Sequence, residues 1–182
     1  VTETERLAYF GFTGPIEPGG VGRLAGALNA AVNEGVTRVH LAFSSSGGYV
    51  ADGIYLYNHI RALPLDLVIY NTGSVSSIAV SVFLAAETRY CSAHALFMIH
   101  PTTMGYSEGM TARRLQSTLD AALADDDRTD NILRERARIP ARVLDHRRHS
   151  EVYISPGEAV DYGLVAAVRE FSLPRGQQIV QI

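Results

Sequence analysis

Three stretches hold residue types that could do chemistry together. Gly47-Gly48 closes an apolar, β-branched run and opens a helix-like segment. A glycine pair in that place is often only a turn device that permits positive φ. Its functional reading is that the missing Cβ atoms let backbone N–H groups face a substrate carbonyl, next to the partial positive charge of a helix start. The second stretch is Ser74-Val75-Ser76-Ser77. Serine is a favoured N-cap, which accounts for most of the cluster structurally. Ser77, however, runs directly into Ile78-Ala79-Val80 and would sit just inside an apolar helix whose dipole stabilises an alkoxide or oxyanion, a good place for a nucleophile if a base is near. The third stretch is Met98-Ile99-His100-Pro101. A His that closes an apolar strand is more often a satisfied, half-buried residue than a catalyst, yet Pro101 stops the strand at once and leaves the imidazole at the sheet edge, where clefts form. His40, His59, His94, His146 and His149 have weaker settings, and no spacing of His and carboxylates suits a metal, so neither metal nor cofactor is expected.

Composition narrows the chemistry further. The chain has 182 residues, suited to one domain, and its 16 basic residues are all Arg. Without Lys, Schiff-base chemistry, a Ser-Lys dyad and a P-loop are excluded, so Ser77 would depend on an imidazole. The single Cys91 allows no internal disulfide, which fits a reducing compartment. A net charge of −3 gives no support to nucleic-acid binding. The longest apolar run, Ile78 to Ala86, is about half of a membrane span, and the opening Val1-Thr2-Glu3-Thr4-Glu5-Arg6 has no signal-peptide pattern. The expectation is a cytoplasmic protein with no membrane partner.

The elements that must position these residues alternate short strands and helices. Strands are expected at 7–12, 37–43, 65–70, 89–91, 96–100 and 164–168, and helices at 21–33, 49–62 and 76–86, with a loop at 14–20, a turn at 71–74 and a loose tail. The helix at 76–86 is apolar all round and belongs in the core. Residues 110–138 read differently, as a long charged helix with one narrow stripe of Leu115, Leu119, Leu123, Ile132 and Leu133, suited to an edge that meets another subunit. Pro140 and Val143-Leu144 restart a helix that ends near His149. Ser155-Pro156-Gly157-Glu158 has the N-cap, first-turn Pro and acidic third position of a helix start, closed by Gly163. Buried strands alternating with helices make an α/β protein.

Ser44-Ser45-Ser46-Gly47-Gly48-Tyr49-Val50, Gly73-Ser74-Val75-Ser76-Ser77-Ile78-Ala79 and Phe97-Met98-Ile99-His100-Pro101, in that order, resemble the ClpP family of serine peptidases. Phe10-Gly11-Phe12-Thr13-Gly14-Pro15-Ile16 resembles that family's first strand and turn. Residues 110–138 resemble its handle helix, and 155–165 its closing motif. Ser46, Ser76 and Ala79 stand where the family has Pro, Ala and Gly, small changes in volume.

The resemblance implies a ClpP/crotonase-like superhelix in one domain, 1–182, with a head of about 1–108 and 150–182 and the handle at about 110–138. Position by position it makes Ser77 the nucleophile, His100 the general base, and the backbone N–H groups of Gly48 and Ile78 the oxyanion hole. The acid of the triad falls on Glu151, four residues before Ser155 where the family has Asp, in preference to Asp145. The implied partners are further copies in a ring or stacked rings joined through the handle, a peptide or unfolded-protein substrate, and an unfoldase ATPase. The short segment ahead of Leu7 counts against the ATPase, because the family engages it with a longer one. Two other readings share the fold: a catalytically silent scaffold subunit, and a crotonase-type acyl-CoA enzyme. The Arg residues between Arg113 and Arg148, interleaved with Asp125, Asp126, Asp127 and Glu135, suit interface ion pairs.

Overall fold

The computed structural model describes residues 6–105 and 108–182, so the opening residues 1–5 lie outside the described part of the chain. The elements run β1 (Leu7–Thr13), α1 (Pro18–Asn33), β2 (Arg38–Ser45), α2 (Val50–Ala62), β3 (Asp66–Ser76), α3 (Ile78–Phe83), β4 (Thr88–Cys91), β5 (Leu96–Ile99), α4 (Ala112–Arg136), α5 (Ala141–Arg147), β6 (Val152–Ile154), α6 (Pro156–Asp161), β7 (Ala167–Val168) and β8 (Ile179–Gln181). This is a mixed α/β fold around an open sheet ordered β6-β5-β3-β2-β1-β8. All pairings are parallel except β5 with β6.

The core follows from side-chain period. In β2, Val39, Leu41 and Phe43 are buried while their neighbours are only partly so, as a strand of period two requires. In α1, Val21, Leu24, Ala25, Leu28 and Ala31 form the helical stripe that packs onto the sheet. α1 starts three residues earlier than expected: Pro18 is a first-turn proline, and Gly19 and Gly20 belong to the helix. Gly20 is needed there, because a Cβ would lie 2.8 Å from the Pro15 carbonyl.

The largest departure is at 71–74, expected as a turn and found inside β3. Phe43 pairs with Asn71 but Ser45 pairs with Val75, so β3 carries two residues more than β2 over that interval. The turn-prone residues build this bulge rather than a chain reversal. Asn71, fully buried, accepts the Gly73 N–H at 3.1 Å and donates to the Leu96 carbonyl at 2.9 Å, while Ser44 Oγ donates to the Ser74 carbonyl at 3.2 Å. Before the bulge β3 pairs with β4, and after it with β5. The bulge thereby hands the strand to a new neighbour and aims its end at β5.

Two further differences matter. The apolar helix spans only Ile78–Phe83, so Ser77 is its N-cap rather than a residue just inside it. The tail also contributes β8, whose parallel pairing covers the edge of β1. α6 begins as expected, with Ser155 and Glu158 forming a complete capping box. In α4 the first turns contain no buried residue; Ala122 is the first, and Leu115, Leu119 and Leu123 are exposed. Several of the Arg residues expected to reach a partner pair within this chain instead: Arg128 with Asp125, Arg136 with Glu87, and Arg147 and Arg148 with Asp130. Among the described residues no helix is long and apolar enough to cross a membrane.

Cys91 lies fully buried in β4, and desolvation, followed by the nearby Glu170 charge, pushes its thiol up to about 11. At pH 8 the native protein is therefore expected to resist iodoacetamide, while the denatured chain alkylates readily. Rapid alkylation of the native protein, followed by intact mass, would contradict this packing. The same shift makes folding weaken as pH rises from about 9 through 11, because the unfolded thiol gives up its proton first.

Candidate active site

Ser77 stands where β3 ends and α3 begins, and each neighbour contributes to its geometry. Its N–H donates to the Met98 carbonyl at 2.8 Å, which ties the residue to β5. Its backbone has φ 58° and ψ −135°, the only positive φ outside glycine among the described residues. Such a conformation costs about 1–3 kcal/mol, and the Ser77 side chain makes no cap hydrogen bond to α3. His100 follows β5 immediately, released by Pro101. The two meet: the Ser77 hydroxyl and His100 Nε2 are hydrogen-bonded at 2.8 Å. Both residues are half-buried and line one narrow cleft with Gly48 and Ile78.

The glycine pair packs against this junction. A Cβ on Gly47 would lie 2.6 Å from the Ser77 Cβ, and one on Gly48 would lie 2.1 Å from the Ile16 carbonyl oxygen. Ile16 clasps the pair from the other side, its N–H donating to the Gly47 carbonyl at 2.8 Å and its carbonyl accepting the Tyr49 N–H at 2.9 Å. Neither the Gly48 N–H nor the Ile78 N–H has an acceptor among the described residues. Ile78 opens α3, where a first-turn N–H has no intrahelical partner. Two free donors flanking a hydroxyl bonded to an imidazole can bind the oxygen of a tetrahedral adduct. Because α3 is a helix of only six residues, these N–H groups matter more than any macrodipole. Gly53 of α2 holds Ile78 in place, since a Cβ there would lie 2.2 Å from the Ile78 side chain.

Glu151 is not brought onto His100. It is exposed and accepts a hydrogen bond from the Tyr153 hydroxyl at 2.6 Å, and among the described residues His100 has no partner other than Ser77. The backbone is nonetheless favourable. Ile99 pairs with Val152 across β5 and β6, so one more step of that register sets Glu151 opposite His100. Asp145 is exposed on α5 and makes no side-chain bond to the pair. Sequence reasoning missed Asn71, which shapes the bulge, and Arg147, which lines the cleft from α5. A polar residue within an apolar strand was the available signal for the first; the second had none, because its burial depends on pairing with a distant helix. His40 stacks on Tyr9 at 5.1 Å and His59 bonds Asn29 at 2.9 Å, both away from the cleft. Among the described residues no cluster of His, Cys, Asp and Glu is placed to hold a metal.

A family profile described as Clp protease matches residues 24–171. The chain is similar to the ATP-dependent Clp protease proteolytic subunit of Paracoccus denitrificans, 25% identical over 157 residues that cover 85% of this chain and 78% of that one. It is also similar to the ATP-dependent Clp protease proteolytic subunit 1 of Synechococcus sp., 28% identical over 132 residues, 71% of this chain and 66% of the relative. Among solved structures, a point mutant of ClpP1 from Listeria monocytogenes superimposes with a TM-score of 0.78 at 19% identity, covering 91% of this chain and 92% of that one, a likeness of fold. With the profile spanning most of its length, the chain belongs to the Clp protease family.

Proposed function

We propose that this protein is a serine endopeptidase in which Ser77 attacks the scissile carbonyl. The observation that carries the reading is the 2.8 Å hydrogen bond between the Ser77 hydroxyl and His100 Nε2. His100 takes the hydroxyl proton as the C–O bond forms, the Gly48 and Ile78 N–H groups bind the oxyanion, and His100 returns the proton to the leaving amine. Water then attacks the acyl-enzyme by the same proton route. A fluorophosphonate probe is expected to label the protein on Ser77, read by peptide mass mapping. Equal labelling of Ser77→Ala would sink the assignment.

Glu151 is the acid of this triad, turning from the Tyr153 hydroxyl to His100 Nδ1 when the site is engaged. Its support is the strand register, which sets the two residues opposite each other. Glu151→Gln should lower kcat at least about a hundredfold with little change in KM, and Asp145→Asn should leave both as they are. Equal effects of the two substitutions would remove Glu151 from the mechanism.

The residues at about 110–138 act as the handle of a ring-forming subunit, with about 1–108 and 150–182 as the head. The exposed Leu115, Leu119 and Leu123, four residues apart on α4, support assembly with further copies. The relatives' names, proteolytic subunits of an ATP-dependent protease, support an ATPase as partner and protein as substrate. One observation favours a second reading, a silent scaffold subunit: the Glu151 carboxylate bonds Tyr153 instead of His100. Turnover no greater than that of Ser77→Ala would establish it. A crotonase-type acyl-CoA enzyme has no use for the Ser77–His100 pair.

A further inference from the structure

His100 is the first residue past β5, and its imidazole can serve Ser77 only if the backbone that carries it is held still. On the upstream side the hold is the Ser77 N–H, which donates to the carbonyl of Met98, two residues before His100. On the downstream side Pro101 has no N–H to give, so the first donor is that of Thr102, two residues after His100. It donates to Asp126 Oδ1 of α4 at 2.7 Å. Among the described residues this is the only backbone hydrogen bond that 100–103 make outside the sheet. Thr102 also lines the same cleft as Ser77 and His100, so the tie is made at the wall of the site.

The carboxylate is itself fixed. Asp126 is half-buried, and Nη2 of Arg147 on α5 lies 3.9 Å from the same oxygen. Arg147 is only 4% exposed and is anchored in turn, its Nη1 donating to Asp130 and its Nη2 to Thr129 Oγ1 at 2.8 Å. Asp126 and Asp130 lie one helical turn apart on α4 and so share the face that meets Arg147. A hydrogen bond to an ionised carboxylate is shorter and stronger than one between neutral groups, which suits a single bond with this task. Asp125, one residue earlier, bonds Arg128 and makes no bond to 100–103.

We propose that Asp126 is a positioning residue for the general base: through the Thr102 N–H it fixes the backbone on which His100 stands and so keeps Nε2 on the Ser77 hydroxyl. The inference rests on the peptidase reading, because only there does the alignment of His100 with Ser77 set a rate.

The test compares kcat and KM for a fluorogenic peptide, and the rate at which a fluorophosphonate labels Ser77, in the assembled full chain and its variants. Asp126→Ala is expected to lower kcat about a hundredfold with KM little changed, because a misplacement of about 1 Å at a reacting group can cost that much. Labelling of Ser77 should slow by a similar factor, since it needs the same base. Asp126→Asn keeps an oxygen within reach of the Thr102 N–H and should recover most of the loss, while Asp125→Ala, which breaks only the Arg128 pair, should match the wild type. Asp126→Ser draws the oxygen back by one bond but leaves a polar group near Arg147; it should behave like Asp126→Ala, which keeps the inference falsifiable if the alanine variant misfolds. Wild-type kcat in Asp126→Ala, an Asp126→Asn protein no better than the alanine variant, or an equal loss in Asp125→Ala overturns it. The labelling separates the two levels: Ser77 labelled at equal rates with and without the Asp126 carboxylate removes the positioning role alone, and wild-type Ser77 unlabelled removes the peptidase reading together with it.

Discussion

Peptide hydrolysis by the Ser77→Ala protein is expected to fall by about five to six orders of magnitude in kcat, with KM little changed. Among the described residues the hydroxyl is the only nucleophile in the cleft bonded to a base, and alanine keeps the Cβ that packs on Gly47, so the fold around the site should survive. His100→Ala should be nearly as damaging, and the double variant no worse than either, because hydroxyl and imidazole act as one unit. What remains would come from the Gly48 and Ile78 donors, which still polarise a carbonyl for attack by water. Single-turnover kinetics on each purified variant, with unfolding curves as a check on folding, would measure this. A Ser77→Ala protein that retained a tenth of the wild-type rate would mean that another group performs the attack.

Gly48→Ala should lower kcat by about a hundredfold to a thousandfold, the range seen when an oxyanion donor is lost, and destabilise the protein as well. An added Cβ would meet the Ile16 carbonyl oxygen at 2.1 Å, too close for any rotamer change to relieve, because both partners are backbone. The clasp from Ile16 to Gly47 and Tyr49 would have to open, and the Gly48 N–H would leave its place beside Ser77. Gly14→Ala is the matched control. Gly14 also has a positive φ, 152°, but an added Cβ meets nothing within 4 Å, so that variant carries backbone strain without a collision. Equal kinetics for the two alanine variants would show that the Gly48 N–H has no part in the reaction.

Most strands and helices were legible because burial writes a period into the chain, as in β2 and α1. Ser77 and His100 were legible because helix-start serines and a strand-ending Pro101 expose polar groups at the same end of the sheet. The rest turned on long-range geometry. Residues 71–74 have turn chemistry, and it was the bonds from Asn71 to Leu96 and from Ser44 to Ser74 that kept them within a strand. The segment forming β8 has no pattern of its own and becomes a strand only because the β1 edge is open to it. Glu151 is placed by its spacing from Ser155 in the family resemblance, but no sequence rule says whether a carboxylate bonds the tyrosine two residues on or the histidine across the sheet. The Arg-rich stretch looked like an interface from its charges alone, although Arg147 is buried on Asp130 in the same chain.

The positive φ of Ser77 bears on how such a chain would change over generations. Glycine adopts that backbone without the roughly 1–3 kcal/mol that serine incurs there. A lineage released from selection for hydrolysis would gain folding stability by the simple exchange to glycine, and drift would carry it there. On the proposed reading, the serine at the one strained non-glycine position among the described residues is set by chemistry rather than by stability.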